Sequence, residues 1–156
     1  MSWFPNLFRR KTKVVHRWRV FGSSARGASH VRKKLPNQDA IGFSPKSKSG
    51  PPLCLAVADG HGSPKSFRSQ TGSKIAVEIA LQVLSEFLVG LPKQPDFTTV
   101  ETALEEGLPK QIDRAWKERV QKHYQTHVFT PQEFRTLEES ASDGRKTVEE
   151  NPILAY

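Results

Sequence analysis

The chain carries the sequence PLCLAVADGHGS at residues 52–63, and its two halves differ in physical character. Residues 53–58 are a continuous apolar run, which predicts a strand buried on both faces. An acid, two glycines and a histidine follow, and glycines permit a sharp turn and a close approach of backbone to a ligand. Carboxylate oxygens are hard metal ligands and histidine can supply a proton, so Asp59 and His61 make the turn a candidate for placing a metal and an acid at a sheet edge. The alternative is an ordinary turn with an exposed histidine.

A second acid stands at the start of a neighbouring short strand. Asp39 precedes the apolar residues 40–43, and a connection rich in Pro, Ser and Lys at 44–51 leads on to the strand at 53–58. Two strands joined by a short polar loop favour an antiparallel pair. The start of one strand then lies near the end of the other, so we expect Asp39 and Asp59 at the same end of the sheet.

Composition and charge limit the possible classes of protein. The chain has 156 residues, enough for one domain with a core, and a formal net charge of +8. Six arginines and four lysines precede the first acid, Asp39, so the basic character is local and no specific nucleic-acid partner is expected. No apolar stretch approaches the roughly 20 residues that a transmembrane segment needs. The single cysteine, Cys54, excludes an internal disulfide and favours a reducing, cytoplasmic location.

The N-terminal region combines a basic segment with a short strand. Residues 1–13 predict a flexible basic leader, with weak attachment to an acidic membrane or a polyanion as the alternative. Residues 14–25 alternate apolar and basic side chains around Trp18, which predicts a half-exposed strand. The small residues of 22–29 predict a turn, and residues 30–36 predict a basic loop.

Two long helical regions follow the Asp-Gly-His-Gly turn. Residues 63–90 predict a helix capped by Ser63, with an apolar coat broad enough to pack on more than one side. A second helical region is predicted from a capping box at Thr98 to about residue 125, with a kink or break at Gly107 and Pro109.

The last part of the chain predicts smaller elements. A short helix is expected within residues 129–139, with Thr130 as its cap and Pro131 in its first turn. Residues 140–151 are polar and acidic and predict a loop. The apolar residues 152–156 predict the beginning of a strand.

The order of these features resembles the metal-dependent protein phosphatases of type 2C. The matching residues are Gly22-Ser23, Arg26-Gly27, His30, Asn37-Gln38-Asp39 and Ala56 to Gly62, followed by the long apolar helix. The resemblance covers about residues 17–90 well and the rest more weakly. It implies an α+β fold in which residues 14–156 form the N-terminal part of an αββα sandwich, two antiparallel sheets flanked by helices.

The resemblance also implies a chemistry. Members of the family hold two Mn²⁺ or Mg²⁺ ions, and a metal-bound water attacks the phosphoserine or phosphothreonine of a phosphoprotein substrate directly. By similarity, Asp59 would bridge the metals, Gly60 would offer its carbonyl oxygen and Asp39 would sit at the metal cluster. His61 would protonate the leaving hydroxyl.

The chain departs from the family pattern at two places near the site. Many members have Glu where Gln38 stands, and the amide lacks the charge that helps to hold metal waters. Many members also place an arginine a few residues upstream to bind the substrate phosphate. The candidates here are Arg32, Lys33 and Lys34, and the alternative for all three is a solvated basic loop.

A larger departure concerns the remaining metal ligands. The family places further aspartates in a C-terminal half, whereas the late acids Asp96, Asp113 and Asp143 match none of those motifs. Asp39 and Asp59 alone are too few ligands for two hard cations. We therefore expect a truncated phosphatase portion with weak or no activity, and an exposed apolar face on residues 75–88. A non-catalytic module that binds a phosphoprotein or a partner subunit is the alternative.

Two further functional classes receive less support from the sequence. A leader that binds nucleic acid or membrane would make polyanion binding sensitive to salt. His123 and His127 are one helical turn apart, but no third zinc ligand is evident in the sequence.

Overall fold

Four short strands and six helices make up the residues that the computed structural model describes, 18–138 and 144–156. The strands are β1 (Trp18–Arg19), β2 (Ala40–Ser44), β3 (Ser49–Gly50) and β4 (Cys54–Ala58). The helices are α1 (Ala28–Arg32), α2 (Ser69–Gly90), α3 (Phe97–Thr102), α4 (Leu108–Thr126), α5 (Pro131–Glu138) and α6 (Gly144–Glu150). The mixture of helices and antiparallel strands confirms the predicted α+β class. The leader predicted at 1–13 lies outside the described residues.

Two antiparallel strand pairs form the sheet structure of the described residues. β2 pairs with β4 in a register that sets Ala40 opposite Ala58 and Ser44 opposite Cys54. β3 lies within the connection between these strands and pairs with β1. The prediction that the strands around 40–43 and 53–58 form an antiparallel pair is therefore confirmed.

The β2–β4 pair has one face of small side chains and one of large side chains. The small face packs on α2: a Cβ atom added to Gly42 would stand 2.5 Å from Cγ1 of Val77, so only glycine allows this approach. On the opposite face Leu55 and Val57 are 55% and 78% exposed. The prediction of a strand buried on both faces is wrong, because α2 covers one face of β4 and no described element covers these two side chains.

Helix α2 is buried more fully than expected. Its residues Ile75, Ile79 and Val83 belong to the main hydrophobic core. The other buried members come from later in the chain: Leu108, Val120, Phe129, Leu137, Val148, Ala155 and Tyr156. The expectation that residues 75–88 expose an apolar face is wrong, since these later elements cover it. The exposed apolar surface is on β4 instead.

Local capping chemistry explains several helix ends. Ser63 accepts a hydrogen bond from the Lys65 N–H and begins a short 3₁₀ turn, Pro64–Ser66, before α2. The predicted cap at Thr98 is wrong by two residues, because the Asp96 carboxylate accepts the Thr99 N–H at 2.9 Å.

A π-helical turn separates α3 from α4. It spans Ala103–Gly107 and continues directly into α4, where Pro109 is the second residue. The predicted irregularity at Gly107 and Pro109 is thus confirmed.

Helix α5 begins with a reciprocal capping box. The Thr130 hydroxyl accepts the Glu133 N–H, and the Glu133 carboxylate accepts the Thr130 N–H at 2.8 Å. The predicted short helix with Thr130 as its cap is confirmed.

Three segments differ from the sequence-based expectation. Residues 28–32 are helical rather than part of a turn and a basic loop. Residues 144–150 form α6 rather than a loop, because Val148 packs into the core with no exposed surface. Residues 152–155 form a 3₁₀ turn rather than the beginning of a strand, and Ala155 and Tyr156 are buried beneath α2 and α4.

One guanidinium group joins the ends of four segments. Arg68, just before α2, forms a bidentate ion pair with Glu133 at 2.6 and 2.9 Å. It also donates to the Tyr156 hydroxyl at 2.8 Å and to the carbonyl oxygens of His127 and Val128. All five N–H groups of the guanidinium therefore have acceptors.

The two charged partners stabilise each other's ionised form. Burial alone would lower the pKa of Arg68, but hydrogen bonds to Glu133 and Tyr156 raise it. Burial alone would raise the pKa of Glu133, but hydrogen bonds from Arg68 and Thr130 lower it. Glu133 therefore contributes stability above its ordinary pKa, and this contribution is lost as pH falls through the lowered value.

Replacing Arg68 by lysine should destabilise the fold strongly. Lysine keeps the charge but cannot reproduce the planar five-donor fork, so several partners lose their hydrogen bonds. We expect the free energy of unfolding in urea to fall by at least about 2 kcal/mol. The matched control is Arg145→Lys, since Arg145 pairs with Glu138 and Glu149 at the surface and its substitution should change stability much less. Equal effects of the two substitutions would contradict the central role of Arg68.

Candidate active site

The two acids predicted to share a site lie at the same end of the β2–β4 pair. Ala40 is opposite Ala58, so Asp39 immediately precedes one strand and Asp59 immediately follows the other. The Gly60 N–H donates to Oδ1 of Asp39 at 3.3 Å, which ties the turn to the first acid. The structure therefore brings together the acids whose proximity was predicted from strand pairing.

Gly60 allows the turn to pass directly over the backbone of the neighbouring segment. A Cβ atom at this position would stand 2.2 Å from the carbonyl oxygen of Gln38, a separation that no side chain can occupy. Gly62 differs, because a Cβ atom there would meet nothing within 4 Å. Only the first of the two glycines after Asp59 is thus required by a close approach.

Asn37 shapes the approach to Asp39. Its side-chain oxygen accepts the Asp39 N–H at 3.3 Å, which is the hydrogen bond of an Asx turn, and its amide donates to the Ser24 hydroxyl at 2.7 Å. The segment around Ser24 is therefore attached to the residues that position the first acid. This explains physically why an asparagine stands two residues before Asp39.

Gln38 contributes a buried oxygen beside the turn. The residue is 6% exposed, and its Oε1 has no hydrogen-bond partner. A buried unpaired acceptor is costly, and a metal-bound water or another donor would satisfy it. Gln38 lies between Asn37 and Asp39 in sequence, and its backbone contacts Gly60. Its side-chain oxygen is therefore a further atom at this end of the sheet that can accept a hydrogen bond or bind a metal.

His61 is exposed beside a cavity of about 560 Å³. The residues that line this cavity include Asp59, Gly60 and Ala76 and, from later in the chain, Trp116, Leu154 and Tyr156. The Trp116 indole N–H donates to the Gly72 carbonyl at 3.0 Å, which orients the indole ring. No local pattern relates these later residues to the Asp-Gly-His-Gly turn, so the sequence does not predict them as part of the site.

The three candidate phosphate-binding residues, Arg32, Lys33 and Lys34, are all exposed. Arg32 ends α1, and Lys34 follows in the turn with a left-handed backbone (φ 56°). The Arg26 side chain donates to the Leu35 carbonyl at 3.3 Å and braces this turn. Binding of phosphate by Arg32 or Lys34 stays a prediction.

The oxygen donors at the strand ends suit one hard cation. Mg²⁺ and Mn²⁺ prefer oxygen ligands, and Mg²⁺ is commonly held by one or two carboxylates with waters in the remaining positions. Asp39, Asp59, the Gly60 carbonyl and the Gln38 side chain bring oxygen atoms to this end of the strand pair, and their binding of a metal stays a prediction. No group of three or more His, Cys, Asp or Glu side chains with metal-binding geometry occurs among residues 18–138 and 144–156. A second cation would need further acids.

His123, in the last turn of α4, and His127, which directly follows the helix, pack against each other. The rings of His123 and His127 are stacked with centroids 4.4 Å apart, and Nδ1 of His123 contacts the Tyr156 hydroxyl at 2.7 Å. Both rings are therefore engaged in packing.

In the part of the chain that is described, no helix is long and apolar enough to cross a membrane.

Comparison with known families agrees with the fold and the turn. The sequence profile of a family described as protein phosphatase 2C matches residues 26–149, which is more than half of the chain. The chain therefore belongs to the protein phosphatase 2C family. Neither the search of curated proteins nor the search of solved structures found a match.

Replacing Gly60 by alanine should separate the turn from the start of β2. The new methyl group collides with the Gln38 backbone, which has to shift, and the Gly60–Asp39 hydrogen bond is lost with it. We expect a loss of about 1–3 kcal/mol in the free energy of unfolding. Gly62→Ala is the matched control and should stay within about 0.5 kcal/mol of the parent chain. Both values are measured by urea unfolding, and a stable Gly60→Ala variant would contradict the close approach.

Proposed function

We propose that the chain forms the metal- and proton-handling part of a metal-dependent protein serine/threonine phosphatase. The observation that carries this proposal is the Asp-Gly-His-Gly turn hydrogen-bonded to Asp39 at the paired ends of β2 and β4. Membership of the protein phosphatase 2C family supports it, and phosphoproteins are the substrates that this family implies.

The donor set supports Mn²⁺ or Mg²⁺ as the cofactor. Asp39 and Asp59 would bind the cation through carboxylate oxygens and Gly60 through its carbonyl oxygen, with Gln38 accepting a hydrogen bond from the water shell. When bound, the metal would lower the pKa of a water and neutralise charge on the phosphoryl group. A cofactor held by two carboxylates is expected to bind weakly, because affinity for hard cations rises with the number of charged ligands.

His61 is the residue best placed to move the proton. It is exposed beside the cavity and two residues from Asp59, so a substrate oxygen near the acids can reach its ring. In the proposed reaction its imidazolium donates a proton to the serine or threonine oxygen as the bond to phosphorus breaks. Arg32 and Lys34 would attract the phosphate from the adjacent surface.

The outer face of β2–β4 supports the proposed αββα sandwich. Large apolar residues alternate with small ones along both strands, and the large ones face away from α2. Ile41 is opposite Val57, and Phe43 is opposite Leu55, so the four form one apolar surface. Such a surface is typical of the inner layer of two packed sheets. We propose that a second sheet covers it in the complete domain.

A non-catalytic module is the alternative function. It is favoured by Gln38, which replaces a charged ligand of the family pattern, and by the small number of acids at the strand ends. Such a module would use the same basic surface to bind a phosphoprotein without hydrolysing it. Both functions predict binding of a phosphopeptide, but only the phosphatase releases phosphate from it.

Substitution of Asp59 tests the cofactor and the reaction together. Manganese is titrated by calorimetry into the purified 156-residue chain and its Asp59→Asn variant, and phosphate release from a phosphothreonine peptide is measured with and without manganese. We expect Asp59→Asn to weaken manganese binding by at least about tenfold, since one of two carboxylate ligands is lost. Asp113→Asn is the control, because Asp113 pairs with Lys117 on the surface of α4 and should leave binding unchanged.

The outcomes separate the two functions. Slow manganese-dependent hydrolysis that falls about a hundredfold or more in His61→Gln supports the phosphatase. Manganese binding that depends on Asp59 without any hydrolysis supports the non-catalytic module. Manganese binding that is unchanged in Asp59→Asn contradicts the proposed site.

Substitution of Val57 tests the proposed inner face. Val57→Thr keeps the β-branched shape but makes the surface polar, so binding of a hydrophobic dye to the chain should fall while stability changes by less than about 0.5 kcal/mol. Val89→Thr is the matched control, since Val89 is equally exposed but lies at the end of α2 away from the strands. Equal dye binding by the two variants would count against an apolar inner face.

A further inference from the structure

A hydrogen-bond chain holds the C-terminal turn of the described chain in place. The turn consists of residues 152–156, and its Tyr156 hydroxyl lies 2.8 Å from the Arg68 guanidinium and 2.7 Å from Nδ1 of His123. Arg68 can only donate, so the tyrosine oxygen accepts from it and the O–H proton is available to His123. A neutral His123 with its proton on Nε2 accepts this O–H at Nδ1.

Protonation of His123 disrupts this chain. An imidazolium has no acceptor, so the Tyr156 O–H loses its partner. Two cations, His123 and Arg68, would then share one tyrosine oxygen. The His127 ring, stacked 4.4 Å away, offers no countercharge.

We propose that His123 and Tyr156 form a pH-sensitive latch, which holds residues 152–156 as one wall of the cavity beside Asp59 and His61 and releases that wall on acidification. Ile153, Leu154 and Tyr156 of this turn line the cavity. Release of the turn therefore changes the cavity without changing the acids themselves. The inference concerns the conformation of the turn and does not rest on the proposed phosphatase activity.

The charged and titratable groups around His123 favour its neutral form. They are His127 just after α4, Arg68 just before α2, Glu133 from α5 and Tyr156 from the turn. Burial, then the positive charges of His127 and Arg68, lower the pKa of His123 below its ordinary value of 6.5. Glu133 is neutralised by its bidentate pair with Arg68.

The sign of the pH effect follows from the lowered pKa. A histidine whose folded-state pKa is depressed contributes stability above its unfolded value, and this contribution is lost as pH falls through the folded value. The latch is therefore closed at neutral pH and weakens below about pH 6.5. The pKa of Glu133 is also lowered, so that carboxylate stays ionised across the same range.

Hydrogen exchange of two backbone amides reports on the latch. The Arg68 N–H donates to the Ala155 carbonyl at 2.6 Å, and the Tyr156 N–H donates to Ile153 at 3.1 Å. Exchange is measured by NMR on the whole chain at about pH 7.5 and 5.5 and corrected for the intrinsic rate. We expect the protection of both amides to fall by about tenfold at the lower pH, with unchanged protection in β2 and β4.

The matched variant keeps a hydrogen-bond acceptor for the Tyr156 hydroxyl at position 123 but has no group there that can be protonated. In His123→Asn the side-chain oxygen can occupy the position of Nδ1 and accept from Tyr156 at every pH. Protection of the Arg68 amide should then be independent of pH. In Tyr156→Phe the protection should be low at both values.

Measurements on the parent chain alone test the latch if a variant fails to fold. The imidazole signals of His123 are titrated in the same samples, and their midpoint should coincide with the loss of protection at Arg68. Protection that is unchanged between the two pH values, or that falls equally in His123→Asn, would overturn the latch.

Discussion

The guanidinium of Arg68 is the interaction on which the helical part of the structure depends. Its planar fork presents five N–H donors: two bind the Glu133 carboxylate, two bind the adjacent carbonyls of His127 and Val128, and one binds the Tyr156 hydroxyl. The end of α4, the start of α5 and the C-terminal turn are therefore fixed relative to the start of α2. Because α2 packs on β2 and β4, the same group also fixes the helical core relative to the sheet.

Two glycines impose a second constraint, because each leaves space that a side chain would fill. Gly42 lets α2 approach the sheet, and Gly60 lets the turn after β4 pass over the Gln38 backbone. These two close approaches determine where Asp59 and His61 stand relative to Asp39. The site is thus built mainly from backbone packing, with one hydrogen bond from Gly60 to Asp39 as its direct link. The helical core that Arg68 organises forms the opposite wall of the adjacent cavity.

The prediction from sequence was most successful where the signal is local. A continuous apolar run and a short polar connection indicated the β2–β4 pair, and the pairing placed Asp39 and Asp59 at one end of it. The Thr130–Glu133 capping box and the irregularity at Gly107 were visible for the same reason, since each depends on residues within one or two turns. Helix α6 was missed, because Val148 is helical through its packing into a core formed by distant residues.

The order of strand, Asp-Gly-His-Gly turn and long helix can be predicted from consecutive residues. Hydrophobic periodicity and the conformational freedom of glycine both act over short distances along the chain. That order was sufficient to indicate the α+β class and the family. Only tertiary packing determines which face of β4 is covered and how residues 152–156 become buried. The same is true of the side chains that contact Arg68. Arg68 lies 65 residues from Glu133 and 88 from Tyr156, and contacts at such separations depend on the complete fold, which no local pattern encodes.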